Sequence, residues 1–168
     1  TQDSYEVVMN IAEHYKSEDM SNAAMAEELM KVNADSLGAV GRAKFDELTG
    51  KIYPDACKKQ YRAAKEAYDS GEYDTVISSL EIVMQMDESY NDGAAMLLLA
   101  QGYEKKGDQD KANTTYQKII ETWPDTDVAT QAQQALDAQS GNTDNSDSKK
   151  SDDTKKNSDN DDNGDNNN

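Results

Sequence analysis

A lone cysteine, Cys57, excludes an intramolecular disulfide, so cysteine usage leaves the redox compartment of the chain open. Histidine also occurs once, as His14, too few for a His-based metal cluster and without a Ser or Cys arrangement around it that suggests a catalytic nucleophile. No glycine-rich phosphate loop is present, and Glu27 and Glu28 are consecutive on a helix, pointing apart rather than forming an acid/base pair. The longest apolar run, Ala94 to Ala100, has seven residues, whereas a membrane-spanning helix needs about twenty. Catalysis, cofactor binding, metal binding and membrane insertion by this stretch of chain therefore find no support in residue type.

Basic residues are scarce. Against 34 acidic side chains stand 17 basic ones, a net charge of −17 that repels phosphate backbones and anionic lipid surfaces and argues against nucleic acid as a partner. Residues 139–168 contain no aromatic or branched aliphatic residue and consist almost wholly of Asn, Asp, Ser, Lys, Gly and Thr. Such a segment is expected to be a disordered tail, because it cannot bury enough apolar surface to offset chain entropy. It holds eight Asp and four Lys, which leaves 26 acidic and 13 basic residues in 1–138, so the folded part is acidic too. Within the tail, Asp159 to Gly164 fits the opening of a calcium loop, but the chain ends before the bidentate Glu such a loop needs, and chance explains the pattern.

What is present is helical periodicity. Tyr5, Val8, Ala12 and Tyr15 share one helix face; Met25, Leu29 and Val32 mark a second helix. Leu37, Val40, Phe45, Leu48 and Ile52 mark a third, expected to stop before Pro54, and Cys57, Tyr61, Ala64 and Tyr68 mark a fourth that starts at Pro54. Four more follow, around Tyr73 to Val83, Met96 to Tyr103, Ala112 to Trp123 and Val128 to Ala135. Both prolines then fall at helix boundaries. No segment alternates with the period of a strand, so the fold class is all-α, with about eight helices in a domain over 1–138.

Two stretches resemble each other, Ala63 to Tyr73 and Leu99 to Gln109, with Gly71 and Gly107 36 residues apart. Each glycine is expected to end a helix where a positive φ is needed, while Ala63, Ala64, Ala100 and Ala112 let paired helices approach closely. A longer loop around Asn91 to Gly93 accounts for the excess over a period of about 34 residues.

Leu99-Ala100, Tyr103, Gly107, Ala112, Tyr116, Ile119 and Pro124 follow the order of the tetratricopeptide repeat (TPR) consensus, and on these residues the chain resembles that family. The resemblance implies a right-handed superhelix of antiparallel helix hairpins, with its strong repeats over 60–124, a degenerate repeat or cap over 5–52 and a capping helix over 127–138. It also implies a concave groove lined by first-helix side chains, which the repeat register assigns to Tyr61, Lys65, Tyr68, Leu97, Gln101 and Glu104. Core packing is the stronger reading for Tyr15, Tyr73, Tyr103, Tyr116 and Trp123. A carboxylate clamp is disfavoured because Lys58, Lys65 and Lys105 are mixed with Asp69 and Glu104.

The ending Tyr116 to Leu136, with Trp123-Pro124-Asp125-Thr126-Asp127 before an Ala/Gln-rich helix, is similar to the closing repeats of bacterial envelope TPR proteins. That likeness implies an extracytoplasmic scaffold. The chain opens at Thr1 with neither an initiator Met nor a signal region, so it is expected to be a mature or excised fragment tethered by an upstream membrane anchor. The expected partner is a protein or peptide, with a basic one best matched to the charge. Structural homo-oligomerisation in the envelope and a cytosolic TPR chaperone or adaptor stand as alternatives.

Overall fold

The structure, a computed structural model, describes residues 3–143. The tail beyond, including the calcium-loop-like pattern at 159–164, lies outside the described residues. Seven α-helices and two short 3₁₀ turns, with no strand, make up the described residues.

Helix α1 (Ser4–Ser17) begins where the Asp3 carboxylate accepts from the Tyr5 N–H, and it buries Val8 and Ile11. Helix α2 (Asn22–Met30) is capped in the same way by Ser21, whose hydroxyl accepts from the Ala24 N–H at 3.3 Å. Its Met25, Ala26 and Leu29 are buried. A 3₁₀ turn, Ala34–Ser36, leads into α3 (Ala39–Asp69), a single helix of 31 residues.

The unbroken course of α3 corrects the sequence expectation of two helices divided at Pro54, and it lowers the helix count from about eight to seven among the described residues. Proline is compatible with helical φ; its penalty is the lost hydrogen bond to the carbonyl four residues back and a clash with it. Here that carbonyl belongs to Gly50, and both Gly50 and Pro54 are exposed, so water can solvate the group. The apolar face runs past the proline without interruption, through Leu48, Ile52, Ala56, Cys57, Ala64 and Ala67. Burial on both sides of Pro54 thus outweighs a local cost on the wet side. Restoring the missing donor with Pro54→Ala should raise stability by about 1 kcal/mol, measurable as an increased denaturation midpoint with unchanged slope.

Helices α4 (Tyr73–Met86), α5 (Ala94–Lys106), α6 (Gln109–Thr122) and α7 (Asp127–Thr143) follow, each packed on its predecessor, with α5 also touching α3 and α7. The last helix continues past the compositional break at Gln139 to Thr143, where the expected boundary was 138. Helix propagation adds one hydrogen bond per residue and needs no apolar face once nucleated, so composition marks the end of burial rather than of the helix.

Two hydrophobic cores share α3. Val8, Ile11, Met25, Leu29, Leu48 and Ile52 build the first from α1, α2 and the first half of α3. Leu80, Val83, Leu99, Ala100, Tyr116 and Ile119 belong to the second, which gathers the rest of α3 and α4 to α7. Met86 packs against both. No helix among the described residues is long and apolar enough to cross a membrane.

Candidate peptide-binding groove

Two glycine-ended turns set the register of the residues assigned to the groove. At the end of α3, the Gly71 N–H donates to the Tyr68 carbonyl and the Glu72 N–H to that of Ala67. At the end of α5, the Gly107 N–H donates to Glu104 and the Asp108 N–H to Tyr103, the same pair of bonds 36 positions on. Gly71 and Gly107 have φ of 76° and 89°, as this closure requires. The turn between helices is therefore repeated atom for atom, and the first helix of each hairpin presents the same face. Between α4 and α5 the chain takes seven residues, 87–93, against the four, 123–126, between α6 and α7. Asn91, Asp92 and Gly93 absorb the surplus with three successive positive φ angles.

On α3, Tyr61 and Tyr68 are half-buried and Lys65 is exposed between them. The Lys65 ammonium lies 5.1 Å from the centre of the Tyr61 ring, and that ring meets Tyr90 edge-on at 5.6 Å. Tyr68 meets Tyr73 in the same way, also at 5.6 Å. On the neighbouring α5, Gln101 and Glu104 are half-buried, whereas Leu97 is only 7% exposed and belongs to the second core. Glu104 is held from below: the Tyr116 hydroxyl donates to its Oε2 at 2.6 Å. An analogous bond runs from the Tyr103 hydroxyl to Glu81 Oε1 at 2.7 Å.

Burial, and then the hydrogen bond to a carboxylate, push the phenols of Tyr103 and Tyr116 well above their ordinary value. The folded state thus holds these protons more tightly than the unfolded chain, whose phenols titrate near about 10. Their contribution is fully present below that pH and is lost as pH rises through the higher folded values. Denaturation midpoints should be flat on the mildly alkaline side and fall from about pH 10 upward. A Tyr103→Phe, Tyr116→Phe double variant should show a shallower fall.

The remaining aromatic residues lie where the periodicity put them. Tyr103 and Tyr116 are buried, while Tyr15, Tyr73 and Trp123 are half-buried against the cores. His14 sits at the exposed end of α1, its Nδ1 2.8 Å from Asp19 Oδ1. Cys57 is fully buried; burial first, and the Asp87 carboxylate second, push its thiol up to about 11, so it is not a thiolate at neutral pH. No group of three or more His, Cys, Asp or Glu suited to a metal ion occurs among the described residues.

Sequence reasoning missed a cleft of about 490 Å³ where α3 passes the end of α4. Tyr53, Cys57 and Met86 line it together with Tyr90. A signal existed, since Tyr53, Cys57 and Tyr61 recur at i, i+4 and i+8, but it is legible only if the helix is read through Pro54. Because Tyr90 both lines the cleft and touches Tyr61, the cleft adjoins one of the residues assigned to the groove.

Comparison with known proteins agrees with this geometry. Residues 94–126, which are α5, α6 and the turn after them, match the family model described as Tetratricopeptide repeat. That span is a tetratricopeptide repeat, and the fold around it is an all-α, TPR-like stack of hairpins. No curated protein and no solved structure matches the chain. The match suggests a protein–protein interaction scaffold, and folds of this kind are typically non-enzymatic.

Proposed function

We propose that the chain captures a basic protein or peptide along the first-helix face formed by α3 and α5, and that it does so outside the cytoplasm. What supports the binding reading is the repeated turn geometry, which gives Tyr61, Lys65 and Tyr68 on α3 the register that Leu97, Gln101 and Glu104 have on α5. Half-buried tyrosines supply contact area at low entropic cost and keep a hydroxyl for hydrogen bonding. The net charge of −17 favours a cationic partner and fast, salt-sensitive association. Extracytoplasmic display rests on the likeness of Tyr116 to Leu136 to the closing repeats of envelope proteins, and protease accessibility of the chain in intact cells tests it.

The binding reading is tested by recovering partners from extract with the unaltered chain and with a Tyr61→Ala, Tyr68→Ala variant. A protein retained by the first should be retained about tenfold or more weakly by the second, since truncating a central interface tyrosine costs upwards of 1 kcal/mol. Equal retention, or no protein recovered by either, would overturn it.

A further inference from the structure

The cleft between α3 and the loop after α4 has a chemistry of its own. Its charged lining residues are Asp46 and Asp87, its aromatic ones Tyr53 and Tyr90, and no lysine or arginine lines it. Tyr53 is pushed up to about 12 by burial, so at neutral pH both phenols and the Cys57 thiol are uncharged and the net charge of the lining is negative. Asp87 offers its carboxylate from a fixed position, because its Oδ1 accepts both the N–H and the hydroxyl of Ser89 at 3.0 Å. The volume, about 490 Å³, falls within the range of ligand clefts.

The Asp87 carboxylate, beside two tyrosines and Met86, fits a planar, weakly hydrated cation that can pair with an acid and pack along rings better than a compact ammonium. Asp46 is already paired, Arg42 Nε donating to its Oδ1 at 3.1 Å, which leaves Asp87 as the lining carboxylate without a cationic partner among the described residues, and Lys65 over the Tyr61 ring shows a cation held by tyrosine nearby.

We propose that this cleft is an arginine subsite, taking one guanidinium side chain of the partner whose remaining length lies along the groove from Tyr61 to Glu104. The subsite rests on the reading of the chain as a peptide-capturing scaffold, and it adds to that reading a side-chain requirement in the ligand. Arginine stems are apolar enough to cover Met86 while the guanidinium pairs with Asp87.

The test uses the full chain, ¹⁵N-labelled, titrated with acetyl-Gly-Arg-Gly-amide at constant ionic strength while backbone amide shifts are followed. Saturable shifts should cluster in 49–58 and 86–90. The citrulline peptide, neutral but of the same shape, should bind about tenfold more weakly or worse, the equivalent of one charge-assisted contact. Asp87→Asn keeps the oxygen that holds Ser89, so the turn survives, yet arginine-peptide affinity should drop about as far. Equal binding of the citrulline peptide, shifts scattered over the acidic surface without saturation, or no shifts at all would overturn the subsite. These outcomes are separate from partner recovery: a retained partner with an unresponsive cleft defeats only the subsite, and a responsive cleft with no retained partner defeats only the scaffold reading.

Discussion

Tyr116→Ala should destabilise the protein by about 4 kcal/mol, the largest effect expected of any single substitution considered, because it empties an aromatic-sized volume in a core that cannot close around it. Tyr116 is 1% exposed and stands among the largest fully buried side chains, in a core it shares with Leu80, Val83 and Ile119. A loss of about 4 kcal/mol is a large part of the 5–15 kcal/mol that domains possess, so the denaturation midpoint should fall steeply. Urea denaturation followed by far-ultraviolet circular dichroism measures it. Tyr116→Phe is the control: it keeps the ring and removes only the bond to Glu104, at about 1 kcal/mol. If the alanine variant lost no more than the phenylalanine one, Tyr116 would not be the buried pillar described above.

Gly93→Ala should cost about 3 kcal/mol, from two sources that add. Gly93 has φ of 89°, a conformation in which any side chain is strained by about 1–2 kcal/mol. A Cβ there would also meet the Trp123 ring at 2.9 Å, so the indole or the start of α5 would have to move. Gly71 separates the two sources, since its φ is 76° but nothing lies within 4 Å of a Cβ built on it. Gly71→Ala should therefore show only the backbone share, about 1–2 kcal/mol. Equal losses at the two sites would mean that the Trp123 contact contributes nothing. Thermal midpoints for the pair, with Trp123 fluorescence as a local probe of α5, decide between these results.

How far these features could be read in advance depends on whether their causes are local. Gly71 and Gly107 were legible because a helix ended by a positive φ leaves its mark within a few residues. The all-α class and most helix positions were legible for the same reason, the apolar period being a property of each segment alone. Pro54 misled because its local cost is visible in sequence, whereas the burial of Ile52 and Ala56 in one core and Cys57 and Ala64 in another is not. Leu97 shares the register of Gln101 and Glu104, but register gives direction and not depth. Tyr90 opens the short 3₁₀ turn Tyr90–Gly93 between α4 and α5, so no α-helical periodicity could bring it beside Tyr61. The packing of Trp123 on Gly93 joins positions 30 apart and likewise has no local signature.

The 31-residue helix has a consequence for anyone dissecting the protein. Trimming the chain at Pro54 to isolate the better-matched repeats would leave a first helix of about fifteen residues, a length at which a helix unsupported on one flank is marginal in water. It would also strip the roof from Met86 and remove the Gly50 wall of the cleft. A fragment opening before Ala39 keeps the strut whole but bares Leu48 and Ile52, which α1 and α2 otherwise cover. The smallest autonomous piece is therefore set by the strut and not by the repeat period, and limited proteolysis should nick the ends of the chain before it cuts anywhere within α3.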